Sequence, residues 1–242
     1  RSVNEEMYVA RPPLFSNVIT FDHYIDLIYN TSFMHNVWNS FVIAAITTII
    51  CLAIGILGSY AMTRLKYPGR SFFRNSIIIS YLMPTAVLFV PMYVFVSSLG
   101  FYDNKYALLI IYPTFVVPYC CYMLISYFKA IPYALEEAAL IDGCNRLQTL
   151  WYIIMPIALP GIAVVATFAF TMAWNEYLYA MIMTTSNVQK TATVAISGFK
   201  YADSAIWGRI MSASVVCSLP VTLLYIVAQS MLISGKYEGS VK

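Results

Sequence analysis

The sequence is poor in charged residues. Of its 242 residues only 10% are Asp, Glu, Lys or Arg, whereas 60% are hydrophobic. A water-soluble domain usually carries about 25% charged residues. This shortage argues against a water-soluble enzyme and against a disordered chain. The formal net charge of +3 is too small to indicate nucleic-acid binding, so we expect no nucleic-acid partner.

Motifs of common catalytic and metal sites are also missing. The sequence contains no GxxxxGK[ST] phosphate-binding loop, and His23 and His35 do not belong to a cluster with metal-ligand spacing. No nucleophile with a matching base can be drawn from it. Four of the five cysteines lie in apolar runs, where a free thiol behaves as a small hydrophobe, so no disulfide framework is predicted. We predict no catalytic residue, no metal and no cofactor bound by this chain.

Long uncharged runs dominate the sequence instead. There are five of them: 36–63, 75–102, 106–128, 147–175 and 210–235. Each is long enough for a helix to cross a bilayer, which takes about 20 residues, and none alternates like a barrel strand. We therefore predict an all-α polytopic membrane protein. The expected spans lie near 40–63, 76–99, 106–128, 157–183 and 211–233.

The basic residues set the orientation. The loop after the first run holds Arg64, Lys66, Arg70 and Arg74 without an acid, and the positive-inside rule makes it cytoplasmic. Loop 129–156 is then cytoplasmic as well, and loops 103–105 and 184–209 are external. The transmembrane domain covers 40–242, and segment 1–39 lies outside. We expect a sixth span before Arg1, which would put both ends of the protein inside.

The external segment contains a short amphipathic pattern. Thr20 can cap a helix in which Phe21, Tyr24, Ile25 and Ile28 follow the i, i+3, i+4, i+7 spacing. Two interpretations stay open. The helix lies on the membrane surface or on neighbouring spans, or it is a docking site for an external partner.

Cytoplasmic loop 129–156 predicts a short helix. Pro132 suits its first turn, Gly143 suits the position after its end, and acids in its early turns favour the helix dipole. One stripe carries Ala134, Ala138 and Ile141, with acids beside it. Such a small-faced helix fits a groove on a separate protein, and a solvated connector is the equal alternative.

These residues are recognisable as a family pattern. Glu137-Ala138-Ala139, followed by Gly143, Ile154 and Pro156, resembles the EAA loop of ABC importer membrane subunits. The surrounding Ile131-Pro132 and Ile141-Asp142-Gly143 resemble the version in sugar-type importers, the maltose permease family. The resemblance extends over nearly the whole chain. Further matches are Asn39-Ser40, Pro68-Gly69, Trp174-Asn175-Glu176, Trp207-Gly208, Pro220 and Gln229.

The resemblance implies a fold, a function and a set of partners. The fold is the transmembrane domain of a type I ABC importer in the bacterial cytoplasmic (inner) membrane. The chain would form half of a translocation pathway with a homologous membrane subunit. A cytoplasmic ABC ATPase dimer would bind ATP and Mg and supply the energy. An extracytoplasmic solute-binding protein would deliver a sugar, as a di- or oligosaccharide.

The resemblance also implies residues for coupling to the ATPase. The set is Glu136, Glu137, Ala138, Ala139, Ile141, Asp142 and Gly143. Glu137 would pair with an ATPase arginine, the alanines would permit close seating, and Gly143 would allow a sharp exit of the chain. For Glu136 a side chain facing water is the alternative. Tail residues 239–242 resemble a segment that reaches the ATPase interface, with a frayed end as the alternative.

Two further sets concern the sugar. Within loop 184–209, possible contacts to the binding protein are Thr191, Val194, Phe199 and Lys200, with plain loop packing as the alternative. The substrate-pathway set is Trp174, Asn175, Glu176 and Tyr177. An ionisable residue at membrane depth is a functional candidate, but these residues also suit an aromatic belt at the outer interface.

Two rival functions remain from the sequence. The same architecture could import glycerol phosphate, a polyamine or an amino acid. An ion-coupled secondary transporter is the rival of a different class. It should carry charged residues deep in several spans, and Glu176 is the only acid or base within the predicted spans.

Overall fold

A computed structural model describes residues 20–201, 204–205 and 207–238. The predictions on segment 1–19 and on tail 239–242 fall outside these residues. The helices are α1 (Asp22–Tyr29), α2 (Phe33–Arg64), α3 (Arg70–Leu82), α4 (Phe89–Ser98), α5 (Leu108–Ile111), α6 (Pro113–Ala130), α7 (Tyr133–Ile141), α8 (Arg146–Thr149), α9 (Met155–Trp174), α10 (Leu178–Met183), α11 (Ala192–Ser197) and α12 (Trp207–Glu238). Turns of 3-10 helix lie at Thr85–Leu88 and Lys105–Ala107, and a π-helical turn lies at Leu150–Ile154. Strands β1 (Lys200–Tyr201) and β2 (Ser204–Ala205) pair antiparallel, with Lys200 opposite Ala205.

The described chain contains up to five candidate spans. Three single helices are long and apolar enough to cross a bilayer: Phe33–Arg64, Arg146–Trp174 and Trp207–Gln229. Two more candidates are bent pairs. Arg70–Leu82 and Thr85–Ser98 meet at 91°, and Lys105–Ile111 and Pro113–Ala130 meet at 42°. The all-α polytopic fold is thus confirmed, and the bends lie beside Pro84 and Pro113, where proline removes a backbone donor.

Two of the predicted spans do not coincide with the helices of the structure. The fourth span begins at Arg146 and ends at Trp174, whereas 157–183 was expected. Pro156 sits in the first turn of α9, where its missing N–H is tolerated, so the helix continues through it. The first candidate span starts with α2 at Phe33, before the expected residue 40. Polar residues occupy the first turns of α2 because they bind other segments of the chain.

Helices α2, α6 and α9 form the centre of the bundle. Their shared core contains Cys51 and Tyr60 from α2, Cys120 and Leu124 from α6, and Val165 from α9. Small residues let the helices approach closely, as is common in membrane bundles. A Cβ atom at Gly55 would lie 2.9 Å from the Cβ of Cys120, and one at Gly161 would lie 2.5 Å from the ring of Tyr127.

The polar loops gather at the two ends of this bundle. Asp103 accepts hydrogen bonds from the N–H groups of Thr185 and Ser186, which joins the two loops predicted to be external. At the other end, Tyr133 donates to the carbonyl of Thr63, and Arg64 of the basic loop donates to the carbonyl of Ile131, which joins the two loops predicted to be cytoplasmic. The structure therefore places loops of the same predicted side together.

Helix α1 exposes its apolar stripe. Phe21, Ile25 and Ile28 are exposed, whereas Leu27 is buried and Asp26 forms an ion pair with Arg209 of α12. Helix α1 thus packs on the neighbouring helices α12 and α2 through the face that carries Leu27, as one of the two interpretations expected, and only its apolar stripe is left uncovered within the described chain. A lipid surface and an external partner both remain as interpretations.

We expect two glycines of α2 to respond differently to alanine. Gly55→Ala should lower the thermal stability of the purified protein, because the new methyl meets Cys120, and overpacking costs about 1–3 kcal/mol. Gly58→Ala is the matched control on the same helix. Its Cβ would meet nothing closer than 3.7 Å, and alanine favours helix by about 1 kcal/mol. Equal melting temperatures in detergent would contradict the close α2–α6 contact.

Candidate functional site

Helix α7 is the short helix that the cytoplasmic loop predicts. Pro132 is its N-cap, and the helix ends at Ile141. Gly143 follows with φ of 89°, a left-handed conformation that favours glycine. The N–H of Gly143 donates to Leu140, and that of Cys144 donates to Ala139, which is the pattern of a Schellman cap. The expected role of Gly143 in ending the helix is confirmed.

One face of α7 is uncovered. Ile141 is 85% exposed, and Leu135 and Tyr133 are also exposed. Glu137, Ala138 and Asp142 lie exposed on the same helix. Apolar side chains beside an acid, on a helix at the end of a bundle, form a surface that another protein can cover. We call the residues Ala134, Glu137, Ala138 and Ile141 the open face of α7.

The opposite face of α7 is fixed to the bundle. Ala139 is buried there, and Glu136 is only 2% exposed, so the interpretation of Glu136 as facing water is wrong. Its Oε1 atom lies 2.9 Å from Nε of Arg64, an ion pair without the alignment of a hydrogen bond. Its Oε2 atom lies 3.7 Å from Nη1 of Arg146. Burial raises the pKa of the Glu136 carboxyl, and the charges of Arg64 and Arg146 oppose that rise.

The pathway candidates lie where α9 ends. Trp174 is buried and stacks on Phe170, whereas Asn175 and Tyr177 are exposed. Glu176 is half-buried and holds the break between two helices. Its carboxylate accepts hydrogen bonds from the N–H groups of Tyr179 and Ala180 in the first turn of α10, and from the hydroxyl of Tyr112. A carboxylate at the start of a helix satisfies free N–H groups there, which explains why the span stops before residue 183.

The loop after α10, which the sequence predicts to be external, is held by hydrogen bonds from α2. The side-chain amide of Asn36 donates to the carbonyls of Asn187 and Lys190, and that of Asn39 donates to those of Val188 and Lys190, all within 2.8–3.0 Å. Lys105 donates to Asn39 Oδ1 at 2.7 Å. The N–H of Ser186 lowers the pKa of the Asp103 carboxyl that accepts its bond. Residues 184–190 are therefore a fixed loop rather than a loose one.

The residues expected to contact a binding protein do not form a common exposed surface on the loop. Thr191 and Val194 are buried within this chain, so their side chains are not available at its surface. Phe199 is half-buried and packs against Phe33 at 5.9 Å between ring centroids. The side chain of Lys200 lies outside the described residues. The exposed tip of the loop is residues 185–188, and Val188 is 62% exposed there.

Sequence reasoning missed the residues that hold both ends. Arg64 was recognised from the sequence only as one of the basic residues that set the orientation, and Asn39 was recognised only as one of the residues that match the family. Each of the two is a polar residue at or near the end of an apolar run, which could have indicated a structural role. The sequence does not show their partners, Glu136 and Val188, because these lie far away in the chain.

Loss of one amide should loosen the external loop. In Asn39→Ala the carbonyl of Lys190 keeps only its bond from Asn36, and that of Val188 keeps only its contact with His35. Each of the two lost hydrogen bonds costs about 0.5–1.5 kcal/mol. We expect hydrogen–deuterium exchange at residues 185–190 to accelerate by about tenfold. Asn75→Ala, at an exposed asparagine of α3, is the control and should leave it unchanged. Unaltered exchange in Asn39→Ala would contradict the clamp.

Curated relatives cover almost the full chain. The inner membrane ABC transporter permease protein YcjP of Escherichia coli is 36% identical over 98% of this chain and 86% of its own length. The trehalose transport system permease protein SugB of Mycobacterium tuberculosis is 30% identical over 95% of this chain and 84% of its own length.

Solved structures share the fold. A bacterial ABC transporter involved in importing the acidic polysaccharide alginate matches with a TM-score of 0.74 at 22% identity, over 88% of this chain and 79% of that one. The MetNI methionine ABC transporter in an inward-facing conformation matches with a TM-score of 0.69 at 16% identity, over 90% of this chain and 99% of that one.

The family model for the inner membrane component of binding-protein-dependent transport systems matches residues 53–234, which is most of the chain. This match shows that the chain belongs to the family of binding-protein-dependent transport system inner membrane components, and its helical bundle has the fold of an ABC importer transmembrane domain.

Proposed function

We propose that this chain is a permease subunit of an ATP-driven, binding-protein-dependent importer of carbohydrates. It forms half of the translocation pathway, and a homologous membrane subunit forms the other half. A cytoplasmic ATPase dimer on separate chains binds ATP and Mg and drives transport. The observation that carries this proposal is helix α7, which is fixed to the bundle on one face and uncovered on the other.

The open face of α7 suits a docking role. Ile141 offers an apolar surface, and Ala138 allows a close approach. Glu137 is exposed next to them and can form a charge-assisted contact with an arginine of the ATPase. Asp142 and Gly143 end the helix beside this face. Glu136 and Ala139 face inward, so in this proposal they position α7 rather than contact the ATPase.

The substrate class rests on relatives rather than on geometry. SugB is named as a permease protein of a trehalose transport system, and the alginate transporter imports a polysaccharide. The methionine transporter shares the fold as well, which keeps another solute, such as an amino acid, as the second candidate. A panel of binding proteins loaded with trehalose, maltose or longer oligosaccharides, assayed for ATPase stimulation, separates the two.

The sugar pathway is proposed near the end of α9. Asn175 and Tyr177 have exposed surface there and offer an amide and an aromatic ring, groups suited to sugars. Trp174 and Glu176 support them from within, through the stacking on Phe170 and the bonds that begin α10. Anchoring at the outer interface is the alternative role for this group.

Reversing the charge at Glu137 should uncouple the transporter. In Glu137→Lys a cation replaces the acid that faces the ATPase arginine, so ATP hydrolysis should no longer drive uptake. Membrane insertion should be unaffected, because Glu137 is exposed and outside the core. The measurement is sugar uptake and ATP hydrolysis in proteoliposomes, together with co-purification of the ATPase. We expect a loss of about thirtyfold or more in coupled uptake, because disrupting a charge pair in an interface costs about 2–5 kcal/mol and 1.4 kcal/mol corresponds to tenfold.

Asp22→Lys is the control for Glu137→Lys, because it tests whether any acid-to-lysine change on the surface has the same effect. It makes the same charge change on an exposed residue at the opposite end of the bundle. The ATPase should co-purify normally with that variant. Normal coupled uptake by Glu137→Lys would count against the docking role of α7.

A charge at the tip of the external loop should weaken the response to the binding protein. Val188→Asp places a carboxylate on an exposed apolar side chain of residues 185–188, which this proposal assigns to binding-protein contact. We expect about thirtyfold more binding protein to be needed for half-maximal ATPase stimulation, since an unpaired charge in an interface costs about 2 kcal/mol or more and 1.4 kcal/mol corresponds to tenfold. Val188→Thr keeps the shape without the charge and should behave normally. If the binding protein stimulates Val188→Asp as well as it stimulates Val188→Thr, the loop tip does not contact the binding protein.

A further inference from the structure

The inner end of α2 is joined to α7 across a large distance in the sequence. Arg64 is the last residue of α2, and its side chain is 0% exposed. Its Nε atom lies 2.9 Å from Oε1 of Glu136, whose side chain is 3% exposed. No covalent connection ties α2 directly to α7, because α3 to α6 lie between them in the chain. The ion pair therefore provides a link that the chain path does not.

The same guanidinium contacts the end of α6. Its Nη2 donates to the carbonyl of Ile131 at 2.6 Å and to that of Phe128. Ile131 is the C-cap of α6 and stands immediately before the N-cap of α7. A planar guanidinium offers several donors in a fixed arrangement, which lysine cannot reproduce. Arg64 thus fixes α2 against the turn from which α7 begins.

Tyr133 adds contacts of a different kind. The guanidinium carbon of Arg64 lies 4.2 Å from the centre of the Tyr133 ring. The Tyr133 hydroxyl donates to the carbonyl of Thr63 at 2.7 Å. A displacement of α7 relative to α2 would break these contacts and leave charges buried without partners, which is more costly than losing an exposed pair. The lower-energy movement keeps the two helices together.

The outer end of α2 is fixed as well. Helix α2 has 32 residues and is therefore about 48 Å long at 1.5 Å per residue. At its outer end Asn36 and Asn39 bind the carbonyls of residues 187–190. One helix thus connects the inner surface beside α7 to the external loop that carries Val188.

We propose that Arg64 is a positioning residue that makes α2 and α7 move as one rigid body, so that α2 connects the ATPase contact inside to the external loop 184–190. The proposal rests on the proposed function and adds a mechanical route to it. Movement of α7 by the ATPase shifts the outer loop, and a binding protein on that loop influences α7 by the same route. Interdependence in both directions is what linkage between two sites requires.

The test uses the complete transporter in proteoliposomes, with its ATPase, partner subunit and binding protein. Glu136→Gln keeps the side-chain volume and removes the charge that faces Arg64. We expect the number of ATP molecules hydrolysed per sugar imported to rise by about fivefold or more, the lower end of typical coupling between sites. Stimulation of hydrolysis by the loaded binding protein should fall by a similar factor. The sugar is the one that gives the largest stimulation in the saccharide panel.

The number of ATP molecules hydrolysed per sugar imported distinguishes a role of Glu136 in coupling from a role in folding alone. If Glu136 only helps the chain fold, uptake and hydrolysis fall together with the amount of intact complex, and the ratio stays at the wild-type value. Tyr133→Phe is the milder variant, because it removes one hydrogen bond to Thr63 and keeps the ring against Arg64. It should move the ratio in the same direction by a smaller factor. If Glu136→Gln does not assemble, Tyr133→Phe decides the question.

Asp26→Asn is the control for losing an ion pair. It removes the partner of Arg209 at the outer end, between α1 and α12, and should leave the ratio unchanged. Wild-type ratios in both Glu136→Gln and Tyr133→Phe would overturn this proposal and leave the proposed function standing. A wild-type complex that neither binds the ATPase nor imports sugar would instead refute the proposed function.

Discussion

A bilayer offers no water to backbone N–H and C=O groups, so every spanning segment must satisfy them internally. This chain meets that constraint with helices, and the constraint decides where polar side chains can go. The bundle of α2, α6 and α9 is held by apolar side chains and by close approach at glycines. Most polar contacts that fix tertiary structure lie at its two ends, where the chain turns.

The two ends use different chemistry. At the outer end, the amides of Asn36 and Asn39 bind the carbonyls of the loop after α10, and the charged contacts of Asp103, and of Asp26 with Arg209, are exposed or partly exposed there. The inner end is held by buried charge, with Arg64 against Glu136 and against two carbonyls that end α6. Amide contacts make the outer loop a fixed surface. The buried ion pair makes α7 part of the bundle while its other face remains available to a separate protein.

Adjacent acids on α7 therefore have different roles. Glu136 and Glu137 are consecutive in the sequence, yet the first is buried and the second is exposed. Successive helical residues point about 100° apart, so one helix can present an internal contact and an external one. Glu176 shows the same dependence on context. Sequence position suggested a charge within a span, but in the structure its carboxylate begins a new helix.

The sequence by itself determined the helical membrane fold, which loops lie together at each end of the bundle, and the short helix between Pro132 and Gly143, because these follow from hydropathy, basic loops and local backbone preferences. Helix ends at Phe33 and Trp174 were not determined in this way, since side chains from distant segments decide where those helices begin and end. Only the tertiary structure decided that Glu136 faces Arg64 while Glu137 remains open. Burial of a charge depends on which helices surround it, and that arrangement is set by packing between segments far apart in the chain.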